Sequence, residues 1–354
     1  MVRIVLGAAM LEAGKGGIVR VARMTARALA AHDHAVTAVS YLDKEPPEID
    51  GVRVVTAGGS KPVFALKCHV AALRAQAMVF DSVGIALARP RIPGLRRRHA
   101  VWMHGIEAWE KLRPGREAIY QAADVVLVNS AYTLERFERL HGPLPNARVC
   151  WLATEDDAPP APSARAPGRP PTAMILGRID RSEQYKGHYE LIAAWPRIVA
   201  AVPGARLLIA GGGDDFDNVR AAAEASPVAG QIDLRGFVPE SAMPALWAET
   251  DVFTMPCRGG GFGLVYVEAM RQSLPVIASV HDAAPEVNIE GETGFNIALD
   301  DQEAMVDRFV RLLGNPDQAR TMGAAGYARW QKHFRLSAFG ERMMAILDTA
   351  GLTA

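Results

Sequence analysis

Short apolar runs alternate along the chain with stretches of helical period. Val2–Leu6, Ala35–Ser40, Val52–Thr56, Met78–Phe80, Ala100–Met103 and Val125–Val128 predict buried strands. Between the first two, Ile18, Val21, Ala22, Thr25 and Leu29 fall on one helical face. The order repeats later. A strand at Ala173–Leu176 precedes a helix at Gly187–Val202, and strands follow at Arg206–Ala210, Ile232–Arg235, Val252–Met255 and Val276–Ala278. A helix runs from Leu264 to about Ser273, where Pro275 ends the pattern. Asp301 is placed to cap a helix carrying Met305, Phe309 and Leu312, and Leu336, Phe339, Met343 and Leu347 mark an amphipathic final helix. Alternating strands and helices predict an α/β fold of two doubly wound parallel sheets.

Between the two series lies Thr154–Pro171, rich in Pro, Ala, Gly and acidic residues and without an apolar face. Residues 1–155 are expected to form one domain, 156–171 a linker and 172–335 a second domain. A ligand cleft between two such halves is the default expectation.

Composition narrows the class. In 354 residues, 49% are hydrophobic and 22% charged, enough for two cores, and the formal net charge of zero gives no reason to expect nucleic acid. Cys68, Cys150 and Cys257 lie far apart, which fits neither a disulfide framework nor a zinc site and suits a reducing cytoplasm. No basic-then-apolar leader and no long apolar run is present, so a soluble, unprocessed chain is expected.

Candidate chemistry gathers at strand ends. Gly259–Gly263 links a strand to a helix, a geometry in which glycines permit close approach and free helix N–H groups favour an anion. Glu268 lies one turn into that helix. Gly14-Lys15-Gly16-Gly17 forms a similar turn, but is neither a P-loop nor GxGxxG. His104 follows the strand Ala100–Met103, where open α/β sheets bind ligands. Glu107 is either a substrate contact or a first-turn carboxylate, and Asn129-Ser130 reads best as a helix cap. Arg178 and Lys186 are two cations near a helix start and suit a diphosphate. Asp214–Asp217 reads as a solvated loop or helix start, not a metal site. Arg89–His99 holds five arginines, either a solvated loop or a contact for an anionic membrane surface or lipid diphosphate.

FGLVYVEAM followed by LPVIAS, with Gly177-Arg178 and Tyr185-Lys186-Gly187-His188, resembles the donor-binding signature of retaining glycosyltransferases of the GT-B fold, family 4 type. The resemblance implies two Rossmann-like domains facing across a cleft, with the helix of about 336–354 packing back on the first. It implies that Glu268 binds the donor ribose, that Arg178 and Lys186 hold the diphosphate, and that Arg235, Gly236, Phe237 and Val238 read the nucleobase through backbone edges. Gly261, Phe262, Gly263, Leu264 and Val265 match the donor loop and helix start. Gly16 and Gly17 match a loop that approaches the donor phosphates or reacting sugar, and His104 a residue that reaches the donor sugar or acceptor region. Arg258, His281, Asp282 and Glu286 fall where substrate contacts are expected. The chain departs from the pattern twice: Gly260 stands where the family has a glutamate, and glycines near His281 and Asp282 are lost.

The activity implied is metal-independent transfer of a hexose from a nucleoside-diphosphate sugar, GDP-mannose or a UDP-hexose, to an acceptor hydroxyl with retention. No cofactor is implied beyond that co-substrate. The acceptor implied is a glycan or lipid-linked glycan of surface polysaccharide synthesis, with the protein in the cytoplasm or peripheral at the inner membrane face through Arg89–Arg98. The alternatives are a nucleotide-sugar-binding protein without turnover, suggested by Gly260, and a GT-B phosphorylase or epimerase. A Rossmann dehydrogenase is disfavoured because no GxGxxG follows the first strand.

Overall fold

The computed structural model describes residues 1–90, 94, 96–160 and 168–353. They form two compact units, Met1–Asp157 with His333–Ala354, and Ala158–Lys332. The middle of the expected linker, residues 161–167, lies outside the described residues.

The first unit holds β1 (Arg3–Ala8), α1 (Gly17–Ala31), β2 (Ala35–Ser40), β3 (Val52–Thr56), α2 (Lys61–Ala72), β4 (Ala77–Phe80), β5 (Arg98–Met103), α3 (Arg116–Ala122), β6 (Val125–Val128), α4 (Ala131–His141) and β7 (Ala147–Val149). The strands lie in the order β3-β2-β1-β4-β5-β6-β7, each pair parallel. β4 and β6 are buried throughout, as near-continuous apolar strands covered on both faces must be. The apolar pattern did not announce β7, whose three residues include the exposed Arg148.

The last helix, Leu336–Thr349, closes this unit. Phe339 stacks on Trp102 at 5.9 Å, and the Trp102 indole N–H donates to Thr25 Oγ1 of α1 at 3.1 Å. Gly340 lets its backbone approach α1, since a Cβ there would meet His32 at 2.9 Å. Glu155 draws in three arginines one helical face apart on α1, Arg20 at 3.4 Å, Arg23 at 3.1 Å and Arg27 at 3.5 Å. The acidic residues after β7 are therefore pinned where they leave the sheet: Thr154 N–H donates to Phe334 O, and Ser337 N–H to Asp157.

The second unit holds β8 (Thr172–Leu176), α5 (His188–Ala201), β9 (Arg206–Ala210), α6 (Phe216–Glu224), β10 (Ile232–Gly236), α7 (Met243–Ala248), β11 (Val252–Thr254), α8 (Leu264–Arg271), β12 (Val276–Ser279), α9 (Ala284–Val287), β13 (Gly294–Ile297) and α10 (Gln302–Gly314), and contains all of α11 (Pro316–His333) but its last residue. Its sheet order is β10-β9-β8-β11-β12-β13, again all parallel. In both sheets the order reverses beside the first strand, between β1 and β4 and between β8 and β11. Loops leaving opposite sides of a switch point open a crevice at the strand carboxyl ends. Asp301 caps α10 through Ala304 N–H at 2.9 Å, as its place before the apolar face predicts.

α8 ends two residues before the sequence pattern suggests. Ser273 sits past it in the left-handed region with φ +57°. α11 reaches this turn through glycine: a Cβ on Gly323 would lie 1.9 Å from Ser273 O, and one on Gly326 would lie 3.3 Å from Met270 Cγ. Gly323→Ala should therefore push α11 off α8 and cost roughly 1–3 kcal/mol. Urea denaturation reads this directly, and an unchanged midpoint would mean that the contact yields freely.

Candidate active site

In the second unit the loops after β8 and β9 run backbone against backbone. A Cβ on Gly211 would sit 1.8 Å from Gly177 O, and one on Gly213 would sit 2.3 Å from Ile179 O. Ile179 N–H donates to Gly212 O at 3.0 Å. Only glycine tolerates these approaches, which accounts for Gly211 and Gly213 without any ligand.

The chain then enters a short 3-10 helix, Arg181–Lys186. Glu183 is the centre of this turn, and the sequence pattern did not single it out. It accepts from Arg178 Nη2 and from Lys186 Nζ, each at 2.6 Å. Lys186 Nζ also donates to Arg178 O at 3.2 Å, and Arg178 lies 3.4 Å from Asp180. The lysine side chain is 14% exposed and the arginine 71%, so one cation is held down and the other projects. The structure thus brings together the two cations that the sequence pairs at a distance, through a carboxylate between them. A signal existed in the three-residue spacing of Glu183 and Lys186, which places them on one face of a turn.

His188 follows at the start of α5 but adds no third charge. It is buried, and burial pushes its pKa down to about 4, with nearby Lys186 acting in the same direction. Of Asp214–Asp217, read as a solvated loop or helix start, Asp214 and Asp217 are exposed, and Asp215 stands at the helix start, directly before α6. It is buried, accepting from Gln184 Nε2 at 2.8 Å, Tyr189 Oη at 2.9 Å and Asn218 Nδ2 at 2.7 Å. Hydrogen bonds from Asn218 and Gln184 hold its carboxyl below the usual range.

The loop after β11 meets this turn from the other side of the switch point. Arg258 N–H donates to Tyr185 O at 3.0 Å, and Gly259 faces the Tyr185 ring. Arg258 itself pairs with Asp300 at 3.0 Å. Gly263 starts α8 at φ +89°, where a Cβ would lie 2.2 Å from the Tyr266 ring. Tyr266 is fully buried and donates to Met255 O at 2.6 Å, fixing the loop's two ends together. Phe262 is buried, whereas Gly261, Leu264, Val265 and Glu268 are half-buried.

Asp282, after β12, reaches into the same loop and is nearly wholly buried. Its Oδ2 accepts from Cys257 Sγ at 2.8 Å and Gly260 N–H at 3.0 Å, and its Oδ1 from Ala284 N–H at 2.8 Å. Burial pushes both the Asp282 carboxyl and the Cys257 thiol up. His281 is exposed, and Glu286 is half-buried in the first turn of α9. Gly236 and Phe237 lie beside Gly211–Gly212, with Gly211 N–H donating to Gly236 O at 2.8 Å and Phe237 80% exposed. Val238 follows them. The Arg235 side chain points into surface ion pairs with Asp233 at 2.9 Å and Glu249 at 2.6 Å.

In the first unit, the turn after β1 is held by buried carboxylates that sequence patterns did not reveal. Asp81 accepts from Ala9 N–H at 2.6 Å, while Asp43 accepts from Leu11 N–H at 2.7 Å and Ser40 Oγ at 2.5 Å. Arg23 adds a bond to Leu11 O at 2.8 Å. Burial raises the Asp81 carboxyl to about 6 despite the Ala9 bond. Beyond these anchors Gly14 and Gly16 adopt positive φ, and a Cβ on either would meet nothing within 4 Å. Gly17 then opens α1, and Lys15 lies 3.5 Å from Glu12.

His104 stands beside this turn, with Nε2 2.6 Å from Asp81 O. A carbonyl only accepts, so Nε2 carries a proton and Nδ1 is the ring nitrogen left for another partner. Asn129 Nδ2 donates to His104 O at 2.6 Å, and Glu107 Oε1 accepts from His104 N–H at 2.5 Å. Glu107 therefore braces its own turn. Ser130 caps α4 through Thr133 N–H at 3.0 Å, so the Asn129-Ser130 pair divides between bracing His104 and capping.

The arginine cluster is distributed over helix ends. Arg97 donates to Ala72 O at 2.9 Å and Leu73 O at 3.3 Å, Arg98 to Ala350 O at 2.8 Å, and Arg96 lies 3.4 Å from Asp124. Arg91 lies outside the described residues. Among the described residues no group of three or more His, Cys, Asp or Glu side chains is arranged to hold a metal ion, and no helix is long and apolar enough to cross a membrane.

Two family models match the chain, Glycosyltransferase Family 4 over residues 15–152 and Glycosyl transferases group 1 over residues 162–329. The GDP-mannose-dependent alpha-(1-6)-phosphatidylinositol monomannoside mannosyltransferase of Mycobacterium tuberculosis is 34% identical over 257 residues, 67% of this chain and 66% of that protein. The match therefore spans just under two thirds of that relative's length. The monoacylated-substrate mannosyltransferase of Corynebacterium glutamicum, also GDP-mannose-dependent, is 30% identical over 70% of this chain and 68% of its own length. Among solved structures, sucrose-phosphate synthase from Thermosynechococcus elongatus superposes with a TM-score of 0.84 over both whole chains at 20% identity. Anabaena HepE, solved with UDP and glucose, superposes with 0.78 over 99% of this chain and all of its own, at 15% identity. At such identities the structures speak for the fold alone. The family models, the Corynebacterium relative and the two parallel sheets agree that the chain belongs to glycosyltransferase family 4 and has the GT-B fold.

Proposed function

We propose that the protein transfers a hexose from a nucleoside-diphosphate sugar to an acceptor hydroxyl with retention of configuration. Mannose from GDP-mannose is the donor we favour, because the mannosyltransferase relatives are GDP-mannose-dependent. The observation that supports the reading best is the Arg178–Glu183–Lys186 turn, set against the loop that leads into α8. Arg178 and Lys186 would take the leaving diphosphate, aided by free N–H groups at the start of α8. Glu268 would accept from the ribose, and the Arg235–Val238 backbone would meet the base.

In the step itself the bond from the anomeric carbon to the diphosphate oxygen breaks as the acceptor oxygen bonds to that carbon on the same face. The acceptor proton passes to the leaving phosphate oxygen. Arg178 and Lys186 offset the charge that develops there, so the chemistry we propose is metal-independent and uses no covalent intermediate on the protein. His104 we assign to a sugar hydroxyl, with Nδ1 accepting, and Gly16 and Gly17 to the open turn that admits substrate. Arg258, His281 and Glu286 remain assigned to substrate contact on their placement alone, and Glu107 to holding His104.

The acceptor we propose is a lipid-linked glycan or glycolipid met at the inner face of the membrane. α2 supports this. Val63, Leu66, Val70 and Leu73 form one exposed apolar stripe on it, with Leu66 at 63% and Val70 at 58%. Arg74 and Arg97 lie at its C-terminal end, and such a basic, apolar edge complements an anionic bilayer.

Lys186→Ala should lower kcat/KM by about 100- to 1,000-fold while moving Tm by under about 4 °C; unchanged turnover would remove it from the diphosphate site. Among UDP, GDP, ADP and NAD, GDP should raise the wild-type Tm, with or without magnesium, and Glu268→Gln should weaken GDP about tenfold in calorimetry. Equal GDP affinity in the variant would end the ribose assignment, and a response to UDP alone would change the donor. The double change Leu66→Asp and Val70→Asp should abolish co-flotation with vesicles of phosphatidylglycerol and leave the rate on a water-soluble acceptor intact. Flotation unaffected by the changes would exclude α2 as the contact.

A further inference from the structure

The two positions at which the chain departs from its family's pattern touch each other. Gly260 lacks the expected carboxylate, and Asp282 brings one to the same loop. A Cβ built on Gly260 would lie 2.5 Å from Asp282 Oδ2 and 3.3 Å from its carboxyl carbon. Position 260 therefore has no room for a side chain while Asp282 is in place. The carboxylate is also fully engaged with the loop. It binds Gly260 N–H and the Cys257 thiol through one oxygen and its own turn, at Ala284 N–H, through the other. A return bond runs from Ala283 N–H to Gly260 O at 3.3 Å. Cys257 and Gly260 belong to the loop after β11, and residues 282–284 to the turn after β12, so these bonds tie two neighbouring strand ends together.

We propose that Asp282 is a positioning residue for the donor loop, a carboxylate moved from position 260 to position 282 that shapes Gly259–Gly263 and so sets the entry to α8. Its place in the reaction rests on the reading of that entry as the donor site. Its grip on the loop does not. Anchoring by an acceptor-only group is specific. An amide at 282 would still accept from Ala284 N–H through its oxygen, but its NH2 would face the Gly260 N–H, a donor with nothing to accept it, and would lose the bond from the Cys257 thiol. Asp282→Asn therefore keeps the volume and removes the tie. A glutamate at 260 becomes admissible only when the side chain at 282 is gone.

The test uses the whole protein as wild type, Asp282→Asn, Asp282→Gly, Gly260→Glu and the double Gly260→Glu/Asp282→Gly. Hydrogen exchange of the 257–264 segment should be at least about tenfold faster in Asp282→Asn, with the sheets' exchange unchanged. Exchange equal to wild type would overturn the proposal whatever the activity. In transfer from GDP-mannose, Asp282→Gly and Gly260→Glu should each lose about 100-fold in kcat/KM. The double variant should recover to within about tenfold of wild type, a strongly non-additive cycle. Losses that simply multiply would show that the two positions do not substitute for one another. If wild type turns over no donor while Asp282→Asn still frees the segment, the donor reading fails and the loop assignment stands.

Discussion

Every strand pair in both sheets is parallel, and this constraint decides where chemistry can sit. Parallel strands send all their outgoing turns from one edge, and those turns bring backbone N–H groups with them that water or side chains must satisfy. In this chain backbone carbonyls satisfy some of them and carboxylates satisfy several others. Asp81 takes Ala9 N–H, Asp43 takes Leu11 N–H, Glu107 takes His104 N–H, and Asp282 takes those of Gly260 and Ala284. Anionic acceptors make stronger bonds to N–H than neutral ones, and they accept only, so the loop geometry they impose is unambiguous. The same carboxylates are costly to bury, as the raised pKa values of Asp81 and Asp282 register. Stability is given up at these turns for fixed shape.

This division explains what could be read from the sequence. Apolar runs and helical periods located both sheets, and the helix of Leu336–Thr349, because burial is a local property of a strand or helix face. Arg178, Lys186, Gly263 and Glu268 were legible because motif residues lie at fixed offsets from a strand end. Glu183 fell between motif positions and was passed over. Asp81 and Asp43 were invisible for another reason: each meets its partner across dozens of residues, 72 from Ala9 and 32 from Leu11, and nothing periodic links them. Asp215 stands at the helix start, one of the two places expected for it, but its burial was not legible because an acidic run is normally solvated. Three side chains from three separate elements converge on it.

The pair Gly260 and Asp282 shows the same limit at closer range. Seen along the chain, they are two unrelated departures, one losing a carboxylate and the other losing glycine. Seen in space, they occupy one volume. A glycine that looks like a missing functional group is required by the residue that fills its place. The 2.5 Å approach gives the glycine a steric reason that the sequence alone could not show.

Electrostatics in the Arg178 turn point to how such a site releases what it binds. Arg178 and Lys186 are balanced by Asp180 and Glu183, so the turn is close to neutral when empty. A bare pair of cations would hold a diphosphate most tightly, and would hold the product equally. With Glu183 between them, a diphosphate bound as proposed would displace a hydrogen bond of 2.6 Å from each cation, and the carboxylate would be ready to reclaim both. Binding is weakened by the competition, but the competition is greatest for the ground state. In the proposed reaction, charge accumulating on the leaving diphosphate would draw the cations away from Glu183 most strongly in the transition state, which is where a stronger interaction raises the rate. The exposed Arg178 has freedom to make that move. Lys186, packed beneath it and tied to Arg178 O, keeps the second cation in place while it does.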